Sequence, residues 1–350
     1  MFNIESLVRN NIKKLSPYSS ARDEFSGKAS VYLDANENAL GSPLLKWYNR
    51  YPDPMQWKLK EKIAFIKKIS VDQIFLGNGS DEPIDTLMRC FCEPGLDEMI
   101  IMPPTYGMYE VNASINNIAI KKVPLTTQFQ IDLEQLESAI QPNTKIIWIC
   151  SPNNPTANSI DRQSIEMVLN NFNGLVVVDE AYINFSRQQS FVSDLADYPN
   201  LVVLQTLSKA WGLAGLRIGM AFASKEIVGY MNKVKAPYNL SEPVQELAMK
   251  ALEEVGQVND MIKELVSMRT QLEDDLAQID EVVKVYPSDA NFLLVKFKHS
   301  IEMYNHLLAN EIVVRDRSNV QYCEGCLRVT VGIQEENNAL ISAIKTFKLK

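Results

Sequence analysis

A lysine and an aspartate each follow an apolar segment of this chain, and together they could support covalent chemistry on a carbonyl compound. Residues 201–204 form an apolar run typical of a buried strand, and Lys209 lies shortly beyond it. A second apolar run, residues 175–178, ends directly before Asp179. Since ligands of open α/β sheets bind at the carboxyl ends of the strands, both side chains are expected at that edge.

The chemistry that suits this pair is that of a pyridine cofactor bearing an aldehyde. A lysine amine among apolar neighbours can form a Schiff base with a carbonyl group. A carboxylate at the same edge can keep a pyridine nitrogen protonated. Lys209 and Asp179 together therefore predict a site for pyridoxal phosphate (PLP), although either residue alone would be more typical of a surface lysine or a helix-capping aspartate.

Groups that could hold the cofactor phosphate lie in two segments. Gly77-Asn78-Gly79-Ser80-Asp81 connects a strand-like run to a helical one, so its backbone amides could face an anion. The segment lacks the third glycine of a dinucleotide fingerprint and the Gly-Lys-Ser/Thr of a P-loop. Ser208 and Arg217 could complete the site, since hydroxyl and guanidinium groups bind dianions well. A surface ion pair is the alternative for Arg217.

Three further side chains could contact a flat aromatic ring. Asn154, which Pro155 restricts to an extended backbone, and Tyr182 could both bond a phenolate oxygen. Tyr106 follows another strand-like run and could stack on the ring. A turn asparagine and core tyrosines are the alternative interpretations.

Two arginines near the end of the chain could bind the anionic group of a substrate. Arg328 has apolar neighbours on a predicted strand, where a charge needs a partner. A substrate carboxylate or phosphate would serve, and so would a buried aspartate. Arg315 is either a second anion ligand or half of a local pair with Asp316.

The composition is typical of a globular enzyme, with 350 residues of which 46% are hydrophobic and 22% charged. The net charge of −8 disfavours general binding to nucleic acid or to anionic membranes. No apolar run approaches the roughly 18 residues that span a bilayer. A cytoplasmic protein is expected, because the N-terminal residues lack the pattern of a signal peptide.

The five cysteines are an odd number and are expected to be free thiols in a reducing compartment. Cys323 and Cys326 have the spacing of half a zinc site, yet the chain has only two histidines, His299 and His306. A turn between two strands is therefore expected at this pair, and no metal. A histidine general base is not expected either.

Alternating strand-like and helical segments predict the fold that positions these residues. An amphipathic arm carries Val8, Ile12 and Leu15 at helical spacing, and a helix is predicted over 55–69. Strand-like runs follow at 74–76, 99–102, 119–123, 146–150, 175–178, 201–204 and 218–223. With helical stretches between most of them, the pattern predicts a mainly parallel, doubly wound α/β sheet.

The pattern changes between Pro237 and Pro243. A long helical stretch is predicted over 244–277, followed by short strands at 282–286, 292–296, 312–315 and 327–331 and a closing helix from Glu335. The expected organisation is an N-terminal arm (1–28), a large PLP-binding domain (29–240) and a smaller α+β domain (241–350).

Over nearly its whole length, the chain resembles the fold-type I PLP-dependent aminotransferases of the class II subfamily. The segments that carry the resemblance are Leu15-Ser16-Pro17-Tyr18, Leu33-Asp34-Ala35-Asn36-Glu37-Asn38, Tyr51-Pro52-Asp53-Pro54, Gly79-Ser80-Asp81-Glu82, Pro103-Pro104-Thr105-Tyr106-Gly107, residues 151–156, Asp179-Glu180-Ala181-Tyr182, residues 206–217, Val313-Val314-Arg315-Asp316 and residues 325–332. The Leu-Asp-Ala-Asn-Glu-Asn segment and the C-terminal arginine pair are similar to the narrower family of histidinol-phosphate aminotransferases.

This resemblance implies a role for each matching residue. Lys209 would bind PLP covalently and move a proton, Asp179 would pair with the pyridine nitrogen, Tyr182 and Asn154 would contact the ring oxygen, and Tyr106 would stack on the ring. Phosphate ligands would be Gly79, Ser80, Asp81, Thr206, Ser208 and Arg217, and substrate ligands would be Tyr18, Asn36, Arg315 and Arg328. Tyr51 would reach the cofactor phosphate of a partner subunit, which implies a homodimer.

The implied reaction converts L-histidinol phosphate and 2-oxoglutarate to imidazole acetol phosphate and L-glutamate. An aromatic aminotransferase, a threonine-phosphate decarboxylase on the same scaffold and a non-catalytic PLP-binding protein are the alternatives. One position departs from the family pattern, because Ala157 stands where a glycine is usual.

Overall fold

Two β-sheets organise the chain. The computed structural model describes residues 2–18, 30–44, 46 and 48–349. The first sheet contains β1 (Ile74–Asn78), β2 (Glu98–Ile101), β3 (Ala119–Lys122), β4 (Thr144–Cys150), β5 (Leu175–Asp179), β6 (Leu201–Thr206) and β7 (Ile218–Ala223), in the order β1-β7-β6-β5-β4-β2-β3. Only β7 runs antiparallel to its neighbours, so the prediction of a mainly parallel α/β sheet is confirmed.

Helices cover both faces of this sheet. The α-helices of the whole described chain, including those that pack on the second sheet, are α1 (Ile4–Leu7), α2 (Asn10–Lys14), α3 (Trp57–Lys67), α4 (Asp81–Phe91), α5 (Met108–Ile115), α6 (Leu133–Ala139), α7 (Arg162–Asn171), α8 (Lys225–Val234), α9 (Glu242–Ala251), α10 (Val255–Ala277), α11 (Ser300–Ala309) and α12 (Gln334–Thr346). Along the central strands, Ile147 and Val176 belong to one apolar core, whereas Trp148 and Val177 belong to the other. A strand buried on both faces reads as a continuous apolar run, which is why these strands were predictable.

The N-terminal helices α1 and α2 lie against the first sheet's second core. Val8 and Ile12 are buried there, as the spacing predicts, whereas Leu15 is exposed. The part of the predicted arm from residue 19 to residue 28 lies outside the described residues. None of the helices among the residues described here is long and apolar enough to cross a membrane.

The second sheet is antiparallel and lies in the C-terminal part of the chain. It contains β8 (Val282–Val285), β9 (Phe292–Phe297), β10 (Arg315–Asp316) and β11 (Cys326–Thr330), in the order β10-β11-β9-β8. Its apolar side packs on α10, α11 and α12 around residues such as Leu293 and Leu307. Cys323 and Cys326 are free, buried thiols in the turn that enters β11.

Two predicted elements of this region are wrong. The helix predicted over 244–277 is divided into α9 and α10, because Leu252 packs with the first sheet whereas Leu272 packs with the second. The strand predicted over 312–315 is reduced to Arg315–Asp316, since the amide of Ile312 bonds the Leu307 carbonyl and closes the end of α11. The domain boundary near residue 240 remains a prediction.

Gly219 lets β7 touch the loop that connects β1 to α4. A Cβ built at Gly219 would lie 2.3 Å from the backbone carbon of Gly79 and 2.3 Å from the amide nitrogen of Ser80. No side chain can occupy that space, so the loop holds its position only because residue 219 is glycine.

We therefore expect Gly219→Ala to destabilise the protein by about 3 kcal/mol, as overpacking against backbone does. The matched control is Gly229→Ala in the middle of α8, where a Cβ meets nothing within 4 Å. This control should stabilise the helix by up to about 1 kcal/mol. Thermal unfolding of both variants measures the two changes in stability. Equal changes would contradict the close approach of Gly219 to the Gly79–Ser80 backbone.

Candidate active site

A cavity of about 690 Å³ lies where the carboxyl ends of the central strands meet the second sheet. The ends of β4, β5 and β6 contribute Cys150, Asp179 and Thr206, and the second sheet contributes Arg315 and Arg328. This position is the usual ligand site of an open α/β sheet, and the volume suits an organic ligand of moderate size.

Most of the residues singled out in the sequence meet at this cavity. Those that line it are Ser80, Asp81, Tyr106, Asn154, Asp179, Tyr182, Thr206, Ser208, Lys209, Arg217, Arg315 and Arg328. Gly79 lies directly behind Arg217, where a Cβ would be 2.3 Å from the guanidinium. Tyr18, Asn36 and Tyr51 do not line the cavity within a single chain, and all three are exposed.

Asp179 is a buried carboxylate at the end of β5. The Tyr109 hydroxyl donates to its Oδ2 at 2.7 Å, and the Ala181 amide donates to its Oδ1 at 3.2 Å. Burial raises the pKa of Asp179 to about 6, and the bond from Tyr109 opposes that rise. A cationic N–H group of a ligand would stabilise the ionised form further.

Sequence reasoning missed Tyr109. Its ring is fully buried and stacks on Trp148 with a centroid separation of 4.9 Å, which fixes the hydroxyl under Asp179. The sequence gives one indication of its role, which is its position about one helical turn after Tyr106. This indication is weak, because a tyrosine in a helix is usually part of an apolar core.

A second buried carboxylate, Glu180, was also missed. It accepts hydrogen bonds from the Phe191 amide at 2.7 Å and from Gln205 Nε2 at 2.8 Å. Gln205 in turn accepts from Lys67 Nζ at 2.6 Å. Because Gln205 lies on β6, this network ties the end of β5 to its neighbour and positions Asp179 beside the cavity.

Lys209 faces the cavity from the segment after β6. Its side chain is exposed to the open cavity. Its Nζ lies 5.6 Å from the centre of the Tyr182 ring. Partial burial removes water from the amine and lowers the pKa of Lys209, and the positive charges of Arg328 and Arg217 lower it further. A larger fraction of the amine is therefore neutral and nucleophilic.

The groups predicted to bind phosphate form one wall. Ser80 precedes α4 without bonding the first helical amides through its side chain, so these amides remain available to an anion. Thr206 Oγ1 lies 3.0 Å from Ser208 Oγ. Arg217 Nη2 lies 3.5 Å from Asp81 Oδ2, so the ion pair that was the alternative for Arg217 is present, and its role as a phosphate ligand stays a prediction.

The second sheet contributes an arginine pair. Arg328 Nη1 donates to Asn154 Oδ1 at 2.5 Å, and its guanidinium lies 5.3 Å from the centre of the Phe292 ring. Arg315 lies directly opposite Arg328 in the β10–β11 pairing. Among the ion pairs of the described residues, neither arginine has a carboxylate partner, so the suggested pair of Arg315 with Asp316 is not formed.

The turn that presents Asn154 has an unusual backbone. Ala157, where the family resemblance leads one to expect glycine, has φ of 69°, a left-handed conformation that favours glycine. Its amide donates to the Asn153 carbonyl at 2.8 Å, and its side chain is buried in an apolar cluster that includes Tyr182. The Cβ is therefore accommodated, and its burial offsets part of the conformational cost.

The donor set fits PLP. A phosphate would meet the start of α4 with Ser208 and Arg217, a pyridine nitrogen would find the Asp179 carboxylate, and an aldehyde would find the Lys209 amine. Tyr106 would flank the ring, since its hydroxyl is held by Asp81 at 3.1 Å. The arginine pair remains for a second anion.

Comparisons with known proteins agree with this arrangement. Residues 43–344 match the family model described as aminotransferase class I and II. The histidinol-phosphate aminotransferase of Parabacteroides distasonis is 52% identical over 349 residues, which cover 100% of both chains.

Two solved structures share the fold. One is a histidinol-phosphate aminotransferase from Sinorhizobium meliloti in complex with PLP, with a TM-score of 0.78, 20% identity and 96% of each chain covered. The other is L-threonine-O-3-phosphate decarboxylase from Porphyromonas gingivalis, with a TM-score of 0.74 and 24% identity, covering 86% of this chain and 91% of that one. Because both identities are below 25%, the two likenesses show the fold alone.

The burial of Asp179 predicts a pH-dependent stability. Since its folded pKa of about 6 lies above the unfolded value, the folded protein binds more protons between pH 4 and 6. The free energy of unfolding contributed by this group therefore falls as pH rises through that window. We expect Asp179→Asn to stabilise the cofactor-free protein by about 2 kcal/mol at pH 8 and to have little effect at pH 4.

Thermal unfolding of the two cofactor-free proteins at pH 4 and pH 8 measures this difference. A stability change that is the same at both pH values would show that the Asp179 carboxylate is not under strain from burial.

Proposed function

The chain belongs to the class I and II aminotransferases, and we infer that it is a PLP-dependent histidinol-phosphate aminotransferase. It would exchange an amino group between L-histidinol phosphate and 2-oxoglutarate, a reaction of histidine biosynthesis. The observation that carries the choice of substrate is the pair Arg315 and Arg328, which faces the cavity without a carboxylate partner among the described residues. The full-length similarity to histidinol-phosphate aminotransferases supports the same choice.

The residues of the cavity divide the work of this reaction. When bound, PLP withdraws electrons from the substrate and so makes the proton on its Cα acidic. Lys209 Nζ is the base that would remove this proton, because its lowered pKa makes a larger fraction of the amine neutral. Asp179 would hold the proton on the pyridine nitrogen, and the Tyr109 hydroxyl keeps the carboxylate in place.

The arginine pair explains how one cavity accepts two amino donors. Histidinol phosphate carries a phosphate and no carboxylate, whereas glutamate carries two carboxylates. A planar guanidinium bonds either anion through two parallel N–H groups. Arg328 is held for this role by Asn154, which also lies beside the expected position of the ring oxygen.

The proposed function includes a homodimer. Several large apolar side chains in the N-terminal part are exposed, namely Val31, Leu33, Leu40 and Leu44. We propose that a homodimer covers them, and that Tyr51, which stacks on Tyr238 at 4.5 Å, reaches the cofactor phosphate of the partner. Tyr18 and Asn36 would complete the substrate site. A cytoplasmic location is proposed as well, supported by the five free cysteines.

The domain division into 1–28, 29–240 and 241–350 is part of the same proposal. It is supported by the two separate sheets, which meet at the cavity.

Amino donors offered singly to the PLP-loaded enzyme test the function. The cofactor's absorbance change should be fastest with histidinol phosphate, and slower with phenylalanine and threonine phosphate. Arg328→Lys keeps the positive charge but loses the two parallel N–H donors of the guanidinium. Histidinol phosphate and glutamate should therefore both react about tenfold more slowly. Arg328→Ala should cost about 100-fold.

Stopped-flow absorbance measures each half-reaction separately. If phenylalanine reacted as fast as histidinol phosphate in the unmutated enzyme, an aromatic aminotransferase would be the better assignment. Release of carbon dioxide from threonine phosphate would instead favour the decarboxylase.

A further inference from the structure

Arg317 is a third arginine at the cavity, outside the set that the sequence pointed to. It lines the cavity together with Arg315 and Arg328. Its amide donates to the Cys326 carbonyl at 2.9 Å, which continues the pairing of β10 with β11 by one residue. Since side chains alternate along a strand, residues 315, 317 and 328 share one face of the second sheet.

The Asp316 carboxylate does not neutralise the positive charge of the face that carries the three arginines. Asp316 lies between the two arginines in the sequence and therefore belongs to the opposite face. Its Oδ1 accepts a hydrogen bond from the Ser318 amide at 2.8 Å. Within the described part of the chain, the Arg317 guanidinium donates only to the Asp316 backbone carbonyl, at 3.3 Å, and it appears in none of the ion pairs there.

Three guanidinium groups so close together repel one another. Partial burial lowers the pKa of Arg317, and the charges of Arg328 and Arg315 lower it further. Like charges directly opposite on paired strands destabilise the pairing. An anion bound between them would offset this cost, and a doubly charged anion would offset it more than a singly charged one.

We propose that Arg317 is a specificity-determining residue that gives the substrate site a preference for a phosphate monoester over a carboxylate. This inference rests on the proposed function and extends it. A phosphate monoester carries close to two negative charges at neutral pH and has three acceptor oxygens. A carboxylate has one charge and two oxygens, which a single arginine fork already satisfies.

Binding of simple anions to the PLP-loaded enzyme tests the inference. The cofactor occupies the first phosphate site there, so added inorganic phosphate reports on the arginine cluster. In Arg317→Gln, phosphate should bind about tenfold more weakly, whereas acetate should lose about twofold or less. The phosphate affinity of Arg317→Lys should lie between those of the unmutated enzyme and Arg317→Gln. The matched control is Arg187→Gln, an exposed arginine outside the cavity, which should bind both anions like the unmutated enzyme.

Titration calorimetry gives both dissociation constants, and the absorbance of bound cofactor confirms that each variant is folded. In the half-reactions, Arg317→Gln should raise the concentration needed for half-maximal rate about tenfold for histidinol phosphate and little for glutamate. Equal weakening of phosphate and acetate, or no weakening of either, would overturn the inference.

The proposed function can fail separately. If the unmutated enzyme did not react with histidinol phosphate but Arg317→Gln still lost phosphate selectively, the reaction would be wrongly assigned and the anion preference would stand. If the unmutated enzyme reacted well and Arg317→Gln treated both donors alike, only the role of Arg317 would be refuted.

Discussion

The buried carboxylate of Asp179 is the constraint on which the site depends. A charge at the end of an apolar strand is costly unless it is hydrogen-bonded and paired. Tyr109 and the Ala181 amide supply hydrogen bonds from the protein. The pKa of Asp179 nevertheless remains raised, so these hydrogen bonds stabilise the ionised carboxylate only in part and a cationic ligand would stabilise it further. A protonated pyridine nitrogen would supply it, which links the architecture of β5 to the chemistry of the cofactor.

The two sheets contribute different halves of this chemistry. The first sheet brings Asp179, Lys209 and Arg217 to one edge, and the second brings the arginine cluster. A hydrogen bond of 2.5 Å between Arg328 and Asn154 joins the halves directly. Because of this bond, the group proposed to bind the substrate anion also holds a residue expected to touch the cofactor. Binding at one end of the cavity can therefore affect geometry at the other.

Local patterns in the sequence predicted the central strands and the residues at their ends. Lys209 and Asp179 were identifiable because each follows a continuous apolar run that only a strand buried on both faces produces. Tyr109 and Arg317 were not, since their importance depends on ring stacking in a core and on strand register. The division of the 244–277 helix escaped prediction because it results from packing against two different cores. Tyr18, Asn36 and Tyr51 lie away from the cavity of a single chain, so the roles proposed for them require the proposed partner subunit.

Lys209 is the amine proposed to hold the cofactor. Among the described residues that line the cavity, it is the one lysine. The most direct measurement is reduction of the PLP-loaded enzyme with borohydride, followed by proteolysis and mass spectrometry of the peptides. The cofactor mass is expected on the peptide that contains Lys209. Cofactor mass on a different lysine, or no covalent label in an enzyme that contains PLP, would contradict it.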